Sequence, residues 1–132
     1  MNRVASCSCG QLHVTCDGEP ARVSMCHCLA CQRRTGSTYG VQARYAREQV
    51  RIEGTSTPFV RVADSGGAVT FHFCPNCGAT VYWELAAMPG FVAVAVGALA
   101  DPTFPPPRVS VYEARRHEWV VMPTGADVAH HD

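Results

Sequence analysis

Short alternating segments, rather than helical stripes, dominate the hydrophobic pattern of this chain. From Gln11 to Cys16, Leu12, Val14 and Cys16 fall on one face of an extended segment, and His13 and Thr15 on the other. That two-residue period is the mark of a half-buried strand. Asp17-Gly18 signals a turn, and Arg22–Cys26 reads as a second strand. Thr38–Ala43 and Val50–Glu53 are further strand candidates, with a helical turn between them at Tyr45–Gln49. Phe59–Ala63 and Ala68–Phe73 flank Asp64-Ser65-Gly66-Gly67, a hairpin signal. In the second arm Val69, Phe71 and Phe73 share one face, while Thr70 and His72 share the other. Ala79–Glu84 and Phe91–Val96 follow, joined by a turn around Pro89-Gly90, and Arg108–Glu113 is a last core strand. Pro102 and Pro105-Pro106-Pro107 exclude regular structure between these last two.

No stretch of ten or more residues shows a 3.6-residue period. Many short strands at close spacing predict a mostly β fold, a single compact multi-stranded β domain over 1–132. The tail after about 124 carries little signal and is expected to be loose.

The chain has 132 residues, enough to bury roughly two-thirds of its unfolded surface. Metal is therefore not needed merely to replace a missing core. Lys plus Arg number 11, as do Asp plus Glu, so the formal charge is zero. A nucleic-acid partner is not expected, because the basic footprint of such binders is missing. Arg33-Arg34 and Arg115-Arg116 are too short to change that. The opening residues contain no apolar stretch of the secretory kind. The longest apolar run, Phe91–Val96 with Gly97, Ala98 and Leu99 after it, is far short of the ~20 residues that span a bilayer. These features predict a cytoplasmic protein with no membrane association. In a reducing compartment, eight cysteines point to metal or redox chemistry rather than to a disulfide framework.

Seven of the eight cysteines form three clusters: Cys7-Ser8-Cys9-Gly10, Cys26-His27-Cys28-Leu29-Ala30-Cys31, and Cys74-Pro75-Asn76-Cys77-Gly78. In the last, a two-residue spacer lets both sulfurs reach one tetrahedral zinc ion at about 2.3 Å. Pro75 fixes the turn, and Gly78 can take a positive φ that turns backbone amides toward the sulfurs. Gly10 can do the same after Cys9. A closed structural site needs four ligands, so this knuckle requires a second pair, from Cys7 and Cys9 or from Cys28 and Cys31. Seven thiols divide as four plus three. Four close a structural site; three leave one position open, as in a catalytic zinc centre. Iron also suits all-thiolate tetrahedral sites. Read alone, Cys28-Leu29-Ala30-Cys31 is also a redox dithiol pattern, although no βαβ unit surrounds it.

Cys16, alone on an apolar strand face, reads as a buried inert thiol. The histidines are weaker ligand candidates. His27 lies inside a cluster but points away from its neighbours in an extended segment. His13 and His72 fall on outer strand faces. The segment from His117 to Val121 lacks the second histidine of a zincin motif, and His130 and His131 belong to the tail.

The three clusters, with C-H-C-L-A-C-Q-R-R-T-G-S from Cys26, F-C-P-N-C-G from Phe73 and V-A-V-G-A-L-A-D-P from Val94, resemble the glutathione-dependent formaldehyde-activating enzyme family. That family also includes centromere protein V. The resemblance runs from about Ser6 to Trp119. It implies a mostly β fold stapled by zinc, with Cys7, Cys9, Cys74 and Cys77 around a structural ion. Cys26, Cys28 and Cys31 would hold a second zinc and form the catalytic centre. The activity implied is carbon–sulfur lyase chemistry, in which a thiol such as glutathione adds to formaldehyde or is released from the adduct. Arg33 and Arg34, just after Cys31, are candidates to grip the carboxylates of such a thiol, since guanidinium matches carboxylate bidentately. A non-catalytic zinc-stabilised binding module is the alternative. It differs in closing the second metal site with a fourth protein ligand or lacking that site.

Overall fold

The computed structural model describes residues 1–125 and 127–132. Strands dominate it: β1 (Asn2–Ser6), β2 (His13–Asp17), β3 (Arg22–Cys26), β4 (Gly40–Ala46), β5 (Val50–Glu53), β6 (Thr57–Val62), β7 (Ala68–Phe73), β8 (Thr80–Leu85), β9 (Phe91–Ala95), β10 (Val109–Val111) and β11 (Ala129–His130). One short helix, α1 (Leu29–Thr35), follows β3. Among the described residues no helix is long and apolar enough to cross a membrane.

The strands form two sheets. The smaller has the order β1-β2-β5, and the larger β11-β10-β3-β4-β9-β8-β7-β6. The alternation read in the sequence explains how they meet. Val14 and Cys16 of β2 point from the small sheet into a core shared with Val23 of β3, Ala43 and Tyr45 of β4, and Val92 and Val94 of β9. Burying each large apolar side chain there is worth roughly 1.5–3 kcal/mol. Val92 and Val94 alternate with Ala93, which turns to the opposite face of the large sheet with Val69, Phe71 and Trp83. Pairing of β7 with β8 skips Val81 between Thr80 and Tyr82, a bulge that lets both Val81 and Tyr82 enter the main core. Cys16 is fully buried, and burial pushes its thiol up to about 11, as suits an inert core residue.

Four elements differ from the sequence pattern. β4 continues through Tyr45 and Ala46, since Tyr45 is fully buried and pairs with Val92; only Arg47–Gln49 forms a helical turn. β1 shows no apolar alternation but is recruited by pairing with β2 from Asn2↔Asp17 to Ser6↔His13. α1 has seven residues, about two turns, too few to display a helical period. In the segment after Thr124, β11 pairs in parallel with β10.

One crossing needs glycine. Gly54 has φ +98°, and a Cβ there would stand 1.9 Å from the Gln11 carbonyl oxygen. The Gln11 side chain locks the same crossing: its amide nitrogen donates to Thr55 O at 2.7 Å and its Oε1 accepts from Thr55 N at 2.9 Å. Gly66 has a similar φ of +96° with open space around it, so it isolates the steric cost. Gly54→Ala is expected to lose about 2 kcal/mol or more in urea denaturation, and Gly66→Ala about 1 kcal/mol. Equal losses would mean that the contact with Gln11 is relieved at no cost.

Candidate metal centres

The first thiol group joins the two sheets. Cys7 and Cys9 follow β1, in a turn closed by Cys7 N donating to Leu12 O at 2.9 Å and Gly10 N donating to Cys7 O at 3.1 Å. Cys74 and Cys77 follow β7, in a turn closed by Gly78 N donating to Cys74 O at 2.8 Å. Gly10 and Gly78 have φ of +87° and +80°, the left-handed region expected of them. Sγ of Cys9 lies 3.6 Å from that of Cys7 and 3.6 Å from that of Cys74, and all four ligand atoms lie within 4.8 Å of one another. A tetrahedron with metal–sulfur bonds of ~2.3 Å has edges of about 3.8 Å, so the donor set fits zinc.

Amides face these sulfurs as well. Leu12 N lies 3.3 Å from Cys7 Sγ, Asn76 N lies 3.4 Å from Cys74 Sγ, and the Gln11 side-chain amide lies 3.0 Å from Cys74 Sγ. Burial pushes the Cys74 thiol up, but the Gln11, Cys77 and Asn76 amides outweigh it and bring it down to about 6. At Cys9 the Gln11 backbone N–H pulls down, yet contact with Cys7 and Cys74 wins and raises that thiol to about 11. Crowded sulfurs resist sharing negative charge, and a divalent cation among them removes that conflict.

The second group is local. Cys26 ends β3, Cys28 caps α1, and Cys31 lies in the first turn of the helix. All three are buried, and their ligand atoms lie within 4.8 Å of one another. Cys28 Sγ accepts from Cys31 N at 3.3 Å. Hydrogen bonds from the Cys26 and Cys31 thiols bring Cys28 down to about 2, while the same contact drives Cys26 far up. The amide of Cys31, donating to Cys28 Sγ at the start of α1, favours Cys28 as the thiolate of the three. Among the described residues no fourth His, Cys, Asp or Glu joins them. His27 is fully buried elsewhere, with Nε2 3.1 Å from Ser110 Oγ.

A cavity of about 170 Å³ opens over the three sulfurs, and Gln42, Arg61, Asp64, Trp83 and Tyr112 contribute to its lining. Parallel pairing of β10 with β3 sets Val111 opposite Cys26, which carries Tyr112 to the cysteines. Tyr112 has φ +56°, a costly conformation for an aromatic residue that surrounding structure must impose. Gln42 Oε1 is buried with no hydrogen-bond partner.

The two arginines of the sequence pattern diverge. Arg33 is exposed, whereas Arg34 lays its guanidinium 4.3 Å from the Trp83 ring centroid and 5.6 Å from that of Phe71. Its Nε and Nη2 are buried without partners. Gly40 makes room for it, since a Cβ there would stand 2.7 Å from Arg34 Nη2. Both arginines line a groove of about 560 Å³ that shares Arg61 and Phe71 with the metal cavity. Local sequence gave no signal for Arg61, Gln42 or Tyr112, because strand register alone brings them to the site. His72, expected on an outer strand face, is part of a polar cluster instead. It sits between Ser56 Oγ at 2.9 Å and Glu84 Oε1 at 3.0 Å, stacked on Tyr82 with ring centroids 4.4 Å apart.

This architecture defines a class: a mostly β protein with one four-thiol and one three-thiol site, each able to hold a metal ion. The family model described as glutathione-dependent formaldehyde-activating enzyme matches residues 2–115, and the chain belongs to that family. Comparison with curated proteins gives no significant match. The solved crystal structure of a Rhodobacter sphaeroides protein, a structural-genomics target, is 21% identical with a TM-score of 0.57. The alignment covers 75% of this chain and 91% of that one. At that identity the likeness extends to the fold alone.

Elemental analysis of the protein purified with zinc is expected to give two ions per chain. Cys31→Ser should lower the count to one and keep the cooperative unfolding transition; Cys77→Ser should lose the transition as well. In the metal-free protein, iodoacetamide at neutral pH should label Cys28 before Cys26 and Cys31 by peptide mapping. Random labelling of the three would contradict the charge order within the cluster.

Proposed function

We propose that the protein is a zinc-dependent carbon–sulfur lyase that joins a thiol to formaldehyde or another small aldehyde, or cleaves the adduct. The carrying observation is the buried Cys26, Cys28 and Cys31 group, without a fourth protein ligand among the described residues, beneath a cavity. Cys7, Cys9, Cys74 and Cys77 serve as the structural site. Cys26, Cys28 and Cys31 would hold a metal ion, which would supply a Lewis acid able to lower the pKa of an incoming thiol.

The chain's own residues account for the rest of the reaction. The thiolate sulfur attacks the aldehyde carbon; the carbon–sulfur bond forms, the carbonyl π pair moves to oxygen, and that oxygen takes a proton from water. Tyr112 donates a hydrogen bond to the developing oxyanion. Gln42 Oε1, buried and unpartnered, accepts from the hydroxyl of the adduct. Arg61 places a cation beside the cysteines and favours Cys28 as thiolate. Trp83 and Phe71 help keep the cavity dry, which strengthens each of these interactions. Arg33 and Arg34 serve the thiol substrate by holding an anionic group away from the reacting sulfur.

The test follows thiol consumption with formaldehyde in the zinc-loaded protein. Cys26→Ser, Cys28→Ser and Cys31→Ser should each abolish turnover with the fold retained. Tyr112→Phe should lower kcat by about tenfold to a hundredfold with little change in KM. Cobalt substituted at the three-thiol site should show a new charge-transfer band on addition of a thiol. A spectrum indifferent to thiol would leave a closed metal site and favour the binding module.

A further inference from the structure

The groove beside the metal cavity carries chemistry that glutathione does not match. Ala30, Arg33 and Arg34 of α1 form part of its lining. Across from them lies the outer face of the large sheet. Phe59 pairs directly with Phe71 in the β6–β7 register, and Phe73 and Arg61 extend the same face. Phe59 is 58% exposed, an aromatic surface left uncovered next to cations.

Charge is one-sided there. Arg33, Arg34 and Arg61 line the groove, and among the described residues no acidic side chain does. Among the described residues none of the three arginines has a carboxylate within salt-bridge distance. Both Arg34 and Arg61 sit near the Phe71 ring, at 5.6 Å and 5.3 Å from its centroid. Arg34 keeps Nε and Nη2 buried and unpartnered. Packing against Gly40 and over the Trp83 ring holds the guanidinium in place, so its uncompensated charge stands at the groove, where an anion complements it.

Glutathione answers only part of this. Its carboxylates suit the arginines, but its ammonium group needs an acceptor and its peptide body leaves the aromatic rings unmatched. Asp64 lines the metal cavity but not the groove, whose polar side chains are the three arginines and Thr80. We infer that the groove takes a substrate with an apolar, aryl-like body and a single anionic group, seated between Phe59, Phe71 and the arginines with its reactive end toward the metal cavity. This inference rests on the lyase reading for the chemistry at the reactive end, but the groove can be tested without it.

The full chain carries two tryptophans, so a Trp119→Phe background leaves Trp83, beneath Arg34, as the fluorescent reporter. Zinc-loaded protein is titrated with 3-phenylpropanoate, with its neutral amide, and with glutathione. The aryl carboxylate is expected to saturate the Trp83 signal at a concentration at least tenfold below that of the other two. Arg61→Gln and Phe59→Ala, both at partly open positions, should each weaken it at least fivefold with unchanged circular dichroism. Arg34→Gln should weaken it further if that variant folds. Glutathione binding as tightly as the aryl carboxylate, or wild-type affinity in both Arg61→Gln and Phe59→Ala, would overturn the inference. A parallel titration of the cobalt protein with 2-mercaptoethanol, too small and neutral to use the groove, reads the open metal position alone. Its failure would remove the lyase reading and leave the groove result standing.

Discussion

Four thiols drawn from two sheets converge within 4.8 Å of one another, and much of the molecule is arranged around that crowding. Sulfurs at such distances cannot all ionise in isolation. A divalent ion would resolve the conflict and turn two loops into a cross-link. Cys9 and Cys74 are 65 residues apart. Closing a loop of that length removes chain entropy from the unfolded state worth on the order of 4 kcal/mol, by analogy with a covalent bridge. Gln11 ties this site to the fold, since its one amide group reaches both Cys74 Sγ and the Gly54-Thr55 crossing.

The three-thiol site obeys different physics. Cys26, Cys28 and Cys31 come from one end of β3 and the first turn of α1. An ion there closes only a short loop, and the strand and helix carrying the ligands are fixed by pairing and capping without it. Little folding free energy therefore depends on this ion. Local ligands around an unfilled position suit exchange with a substrate, whereas distant ligands around a filled one suit permanence.

Legibility from sequence followed the range of the interactions. Spacing exposed all seven clustered cysteines, because metal ligation constrains neighbours within two or three positions. Spacing did not choose which pair completes the knuckle at Cys74 and Cys77; that choice depends on β1 and β7 meeting through the fold. Leu12, Val14 and Cys16 were readable as a buried face because a strand with one side in the core must alternate. β1 was not, since its pairing rests on backbone hydrogen bonds indifferent to side-chain pattern. Arg33 and Arg34 looked equivalent as a sequence pair, but one helical step separates them by about 100°. That step sets one against Trp83 and leaves the other exposed. Arg61 and Tyr112 had no local signal, being delivered by strand registers set elsewhere.

Those registers make the chemistry and its selectivity separable. The ligands come from β3 and α1, whereas much of the groove comes from α1 and the outer face of the β6–β7 hairpin. β6 is an edge strand of the large sheet, so Phe59 and Arg61 can change without disturbing the main core, which lies on the opposite face. Tyr112 and Gln42 stand elsewhere, one just after β10, which pairs with β3, and one on β4, paired with Ser24 and Ala95. On the proposed chemistry, a fold built this way could keep its metal and oxyanion contacts while exchanging the residues that would recognise the substrate's far end. Family membership then bears more on the thiol clusters than on the molecule they would meet.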